Sequence, residues 1–189
     1  SAYDVALARS RDGGMTWAQI TRVNDDQTES EHGFAVLWPR GANAIGIAWL
    51  DGREQHMAPD TEQKEGAHHA GSMQLRANGC DIDLERGVDA VVDARSCDCC
   101  QTDVAITDRG PLLAWRDRSD DDVRDIVAAR AQDDGAWTKP IPVHADGWKV
   151  ESCPVNGPAI AARGNDAVVA WYSEAGGRPV VRIARSTNA

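Results

Sequence analysis

Apolar and polar positions alternate along this chain in short runs, and the same runs return at a regular interval. Four segments share one alternating pattern ending in Ala-Arg or Arg-Ala: D-V-A-L-A-R-S (4–10), S-M-Q-L-R-A (72–77), D-I-V-A-A-R-A (125–131) and V-V-R-I-A-R-S (180–186). With Arg9, Arg76, Arg130 and Arg185 as register marks, successive copies are 67, 54 and 55 residues apart. A second series runs in phase with the first: I-G-I-A-W-L-D (45–51), P-L-L-A-W-R-D (111–117) and D-A-V-V-A-W-Y (166–172). Its Trp49, Trp115 and Trp171 lie 66 and 56 residues apart. A third series precedes it, F-A-V-L-W-P-R-G (34–41), T-D-V-A-I-T-D-R-G (102–110) and G-P-A-I-A-A-R-G (157–164). Each copy closes on a Gly, as a hairpin turn does.

Period-two alternation predicts β-strands, and helical periodicity is essentially absent. The repeating unit reads as strand A, a Gly turn, strand B ending in Ala-Trp, a loop, strand C ending in Arg, a turn, and strand D. Strand D is read at T-W-A-Q-I-T-R-V (16–23), D-A-V-V-D (89–93) and W-T-K-P-I-P-V (137–143). Four short strands in roughly 55 residues is the arithmetic of a propeller blade. The expected fold is therefore all-β, a β-propeller of four-stranded antiparallel blades. A β-sandwich with accidental self-similarity is the competing architecture, and three series in one phase weigh against it. One partial domain spans 1–189: strands C and D of a blade in 1–24, blades at 34–93 and 102–143, and strands A to C of another in 157–189. The first repeat is longer, because 27 residues separate Trp49 from Arg76 against 15 and 14 in the later copies. The excess falls in the B–C loop at 52–71, and a loop of that length points to function or disorder.

The segment S-R-D-G-G-M-T-W (10–17) falls where the repeat puts a C–D turn. Asp12 can accept backbone N–H bonds there, Gly13 and Gly14 can take positive φ, and Trp17 is expected to pack between strands. The segment resembles the Asp box, S-x-D-G-G-x-T-W, of bacterial sialidases and related BNR-repeat proteins. Ser10, Asp12, Gly13, Gly14, Thr16 and Trp17 occupy the matching positions. D-D-G-A-W (133–137) looks like a degenerate copy one residue shorter. At the level of blades the resemblance covers nearly the whole chain. It implies a six-bladed ring with about three blades present. The others would come from the rest of a longer chain or from a second copy, because unpaired blade edges are a liability. It further implies a periplasmic or secreted protein that binds an anionic carbohydrate or glycoconjugate, with exo-α-sialidase-like hydrolysis as the activity. That family grips the substrate carboxylate with three arginines and uses a Tyr–Glu nucleophile pair with an Asp acid/base. The Arg-Ile-Pro motif carrying its first arginine is absent from this chain.

Successive turns of a propeller alternate between its faces. The D–A connections (24–33, 94–101, 144–156) and B–C connections (52–71, 116–122, 173–179) therefore share one face, and the Asp boxes lie on the other. Cys97, Cys99, Cys100 and Cys153 are expected on that shared face with His32, His56, His68, His69 and His144, while Cys80 falls in a C–D turn. Three chemistries remain open for the cysteines. They could form disulfides in an oxidising compartment. They could bind Cu or Zn together with His68, His69 or Met57. They could also be reactive thiols.

A second constellation is charged. Arg53, Arg116, Arg118 and Arg178 follow the strand-B Trp in successive blades and suit bidentate binding of a carboxylate or sulfate. Asp51 and Asp117 beside them are candidate acid/base groups. Tyr172 and Glu174 match the Tyr–carboxylate pair that the resemblance implies. The plainer alternative is that these Arg–Asp pairs cross-link loops on the rim. A net charge of −10 weighs against a nucleic-acid groove or an anionic-membrane partner. No apolar run approaches the roughly 18 residues of a membrane span. Three functions stand: a sialidase-like propeller handling an anionic carbohydrate, a non-enzymatic soft-metal (Cu/Zn) binding or recognition propeller using the Cys/His-rich face, and a carbohydrate-binding module without catalysis.

Overall fold

A computed structural model describes residues 2–56, 72–150 and 152–189. Strands β1 (Ala6–Arg9) and β2 (Ala18–Arg22) form a hairpin. The first four-stranded meander comprises β3 (His32–Pro39), β4 (Ala44–Asp51), β5 (Met73–Asp81) and β6 (Ala90–Ser96). The second comprises β7 (Asp103–Thr107), β8 (Gly110–Arg116), β9 (Ile126–Arg130) and β10 (Ile141–His144). A three-stranded sheet of β11 (Ala159–Arg163), β12 (Asp166–Ser173) and β13 (Val180–Ser186) follows. The protein is thus all-β with four antiparallel sheets, each strand lying on a segment that the repeat singles out. Among the described residues the sheets form an open series, with no closed ring.

Each sheet packs on the next. Val23 and Leu7 from the hairpin meet Ile47 and Trp49 of β4 in one apolar cluster. Leu50 and Leu75 meet Trp115 and Val127 in a second, and Ala114 and Ile126 meet Val169 and Trp171 in a third. A sheet covered on both faces buries both sides of its middle strands, so β4 is buried at every position from Gly46 to Asp51. By contrast β13 alternates half-buried and exposed positions. Strand β7 lies beside both β3 and β11, so the first strands of the sheets neighbour one another. The repeat tryptophans join sheets through their indole N–H, which needs an acceptor when buried. Trp115 donates to Asp93 of the preceding sheet (2.7 Å) and Trp171 to Asp146 (2.7 Å), whereas Trp49 uses Asp51 of its own strand (2.8 Å).

The hairpin glycines Gly41, Gly110 and Gly164 all have positive φ (66°, 98° and 60°), which is why each A–B turn closes on Gly. The segment 10–17 connects β1 to β2 and is held by its own side chains. Asp12 accepts from Thr16 N (2.9 Å) and Thr16 Oγ1 (2.6 Å), and Ser10 Oγ accepts from Gly14 N (2.8 Å). The Thr16 hydroxyl and amide and the Ser10 hydroxyl hold the Asp12 carboxyl down at about 2. Trp17 departs from the expectation. It is 65 % exposed and curls back to donate to Gly14 O (3.2 Å), because no sheet covers the outer side of this hairpin among the described residues. Cys80 also differs: it sits inside β5, fully buried, rather than in the turn after it.

Candidate functional site

Three connections meet at the junction of the two four-stranded meanders and the last sheet: 97–102 between β6 and β7, 117–125 between β8 and β9, and 145–158 between β10 and β11. Backbone bonds tie them together, from Cys97 N to Arg116 O (3.0 Å) and from Arg124 N to Trp148 O (2.8 Å). D–A and B–C loops therefore converge, as strand alternation requires, and they bring four of the five cysteines together.

Cys99 and Cys153 form a disulfide that staples the first loop to the third, with Cα atoms 6.3 Å apart. Cys97 and Cys100 are free and buried, with their sulfurs 2.9 Å apart. The sulfurs of Cys97, Cys99 and Cys153 all lie within 4.8 Å of one another, a grouping that could hold a metal ion once the disulfide is reduced. Arg124 Nη1, itself buried, donates to Cys97 Sγ at 3.3 Å. The Cys100 thiol donating to Cys97 outweighs burial and, with Arg124, pulls the Cys97 thiol down to about 6. The same hydrogen bond, together with burial, pushes the Cys100 thiol up. The Cys97–Cys100 pair thus lies beside a guanidinium, with Cys97 the sulfur favoured to lose its proton.

Arg116 is not on the rim. It is 1 % exposed and donates to three carbonyls: Asn156 O (2.9 Å), Arg124 O (2.6 Å) and Tyr172 O (2.8 Å). Its guanidinium lies over the Trp148 ring at 4.9 Å, and burial lowers its pKa. Arg118 bridges Asp98 (2.9 Å) and Asp122 (2.8 Å). Asp117 is half-buried, and burial together with the neighbouring Asp93 carboxylate raises its carboxyl to about 6. Tyr172 donates its hydroxyl to Glu174, and that contact raises the Tyr172 pKa. Arg178 is exposed in the β12–β13 loop.

Asp51 and Arg53 belong to a second cluster, at the junction of the hairpin and the first meander. Asp51 is fully buried and takes both Arg53 Nε and Nη2 at 2.8 Å, in addition to Trp49 Nε1. Arg53 also reaches Asp25 (3.4 Å) and Asp89 (3.3 Å). His32 lies buried beside Asp26 (3.1 Å) and Asp51 (3.6 Å), and these three form another grouping that could hold a metal ion. Burial opposes ionisation of Asp26, but hydrogen bonds from Thr28 and Asn24 win and hold it at about 2. Every Arg53 nitrogen is already paired with a carboxylate, and Arg86 adds a second guanidinium against Asp25 and Asp89.

The structure therefore gathers Cys97, Cys99, Cys100, Cys153, Arg116, Arg118 and Asp117, and sets Asp51 and Arg53 apart. His68, His69 and Met57 lie outside the described residues. His144 pairs with Asp146 (2.8 Å) beside Trp171. Sequence reasoning missed Arg124, Trp148 and Asp93, which carry no motif of their own. It also passed over the C-x-x-C spacing of Cys97 and Cys100, a pattern that lowers thiol pKa values. No family model, curated protein or solved structure matches the chain.

Proposed function

We propose that the chain is part of a sialidase-like, Asp-box β-propeller whose loop face carries a cysteine centre for a soft metal ion, Cu(I) or Zn(II). Three strand series in one phase support the propeller, as do the face-to-face succession of sheets and the neighbouring strands β3, β7 and β11. Further blades, from a longer chain or a second copy, would close the ring. The disulfide suits an oxidising compartment, periplasmic or extracellular.

The observation that carries the metal reading is the convergence of the Cys97, Cys99 and Cys153 sulfurs, from two loops whose bridged cysteines are 54 residues apart, with Cys100 Sγ 2.9 Å from Cys97 Sγ. A tetrahedral zinc with ~2.3 Å bonds needs sulfurs ~3.8 Å apart, and those of Cys97, Cys99 and Cys153 lie within 4.8 Å of one another. Three thiolates around a divalent ion leave excess negative charge, and the buried guanidinium groups of Arg116 and Arg124 would balance it. Anaerobic titration of the fully reduced protein with Zn(II) and with Cu(I) tests this reading. One ion per chain is expected, with binding lost in Cys97→Ser and in Cys153→Ser. Equal affinity in wild type and both variants overturns it.

A second reading, binding and hydrolysis of an anionic carbohydrate, is favoured by the Tyr172–Glu174 contact. The contact raises the Tyr172 pKa, so Glu174 would act as a base that takes the phenolic proton only as the oxygen attacks. Weighing against it, Arg53, Arg116 and Arg118 spend their donors on protein groups. Turnover of a fluorogenic sialoside, abolished in Tyr172→Phe, is its expected signature. Absence of turnover by the complete ring sinks it.

A further inference from the structure

We propose that the cysteine centre carries out thiol–disulfide exchange within itself, moving one disulfide between the half-buried Cys99–Cys153 pair and the buried Cys97–Cys100 pair. Exchange needs a thiolate within reach of a disulfide sulfur, with no bulk between them. Cys97 meets that requirement twice, since its sulfur lies within 4.8 Å of both Cys99 Sγ and Cys153 Sγ and 2.9 Å from Cys100 Sγ. Neither Cys97 nor Cys100 is used by the existing staple, and both are buried, with their sulfurs in contact.

The steps balance without outside electrons. Cys97 thiolate attacks Cys153 Sγ, a Cys97–Cys153 bond forms, the Cys99–Cys153 bond breaks, and the electron pair leaves on Cys99 as thiolate. Cys100 thiolate then attacks Cys97 Sγ, a Cys97–Cys100 bond forms, and Cys153 leaves as thiolate. Any proton that Cys97 or Cys100 gives up on becoming a thiolate is taken by the departing Cys99 or Cys153 thiolate, so proton count and charge are unchanged. Two electrons have passed from the buried pair to the half-buried pair, and one disulfide remains.

The consequence is mechanical as well as chemical. With Cys99–Cys153 closed, the β6–β7 connection is stapled to the β10–β11 connection across 54 residues. With Cys97–Cys100 closed, the bridge spans only its own loop, and two thiols become available where solvent reaches. Thiol and disulfide compounds outside the protein would exchange through Cys99 and Cys153, with the buried dithiol as the electron store behind them.

The test uses native, metal-free protein holding one disulfide, incubated with iodoacetamide and no reductant, then digested for mass-spectrometric mapping. Exchange frees Cys99 and Cys153 transiently, and alkylation traps them. The expected result is label on Cys99 and Cys153 together, with Cys97–Cys100 accumulating as the disulfide. Cys97→Ser should abolish that label and keep Cys99–Cys153 intact. A wild-type protein that retains Cys99–Cys153 indefinitely, with label confined to other cysteines, overturns the proposal without recourse to any variant. The metal reading is tested on fully reduced protein, so either can fail while the other stands.

Discussion

Replacing Arg116 by Ala separates two roles that its sequence position allows, a ligand-binding arginine and a structural tie. The side chain is buried and holds three carbonyls that belong to the β8–β9 loop, the β10–β11 loop and β12. Hydrogen bonds from a charged donor contribute about 1.5–3 kcal/mol each, so three give at least ~4.5 kcal/mol. Removing a buried cation also relieves its desolvation, and water entering the vacated space satisfies part of the loss. The net destabilisation expected is therefore about 3–5 kcal/mol, a large share of a typical domain's ~5–15 kcal/mol. Arg116→Lys should recover about 1 kcal/mol, since an ammonium reaches one carbonyl rather than three. Urea denaturation followed by tryptophan fluorescence reads this as a midpoint lowered by about 2 M. An Arg116→Ala protein within about 1 kcal/mol of wild type, at unchanged slope, would refute the structural assignment. Loss of anion binding in the same variant would then return Arg116 to the substrate role.

Three further outcomes follow from the same contacts. Cys97 should titrate near 6 by ultraviolet thiolate absorbance; because its folded value lies below that of an ordinary thiol, the stability it contributes is present at high pH and lost as pH falls through about 6. Arg124→Met should move that titration upward. Asp117 has the opposite sign: its folded carboxyl, near 6, lies above the ordinary 3.8, so stability falls as pH rises between those values. Asp117→Asn should flatten that slope and raise stability at neutral pH by about 1–2 kcal/mol, after discounting for its partial exposure; an unchanged slope in pH-dependent melts refutes it. Gly46→Ala would drive its new methyl into the Trp38 indole that lies over the strand, and a loss of about 1–3 kcal/mol or more is expected in chemical denaturation, with a wild-type midpoint as the contrary result.

Much of the fold was legible because a strand's side-chain period and a hairpin's turn chemistry are local. Gly41, Gly110 and Gly164 announced their turns, and Trp49, Trp115 and Trp171 their buried strands, from sequence alone. Strand alternation also foretold that Cys97–Cys100 and Cys153 would share an end of the sheets. Trp17 was misplaced because its burial depends on which sheet covers the hairpin, a matter that lies outside the segment itself. What only tertiary structure decided is the pairing and the charge. Which cysteines bond, why the Cys97 thiol is pulled down and that of Cys100 pushed up, and why Arg116 faces inward all depend on distances of a few ångströms, several of them between segments far apart in the chain. Hydrogen bonding and Coulomb interaction act over such distances and leave no periodic trace in the sequence.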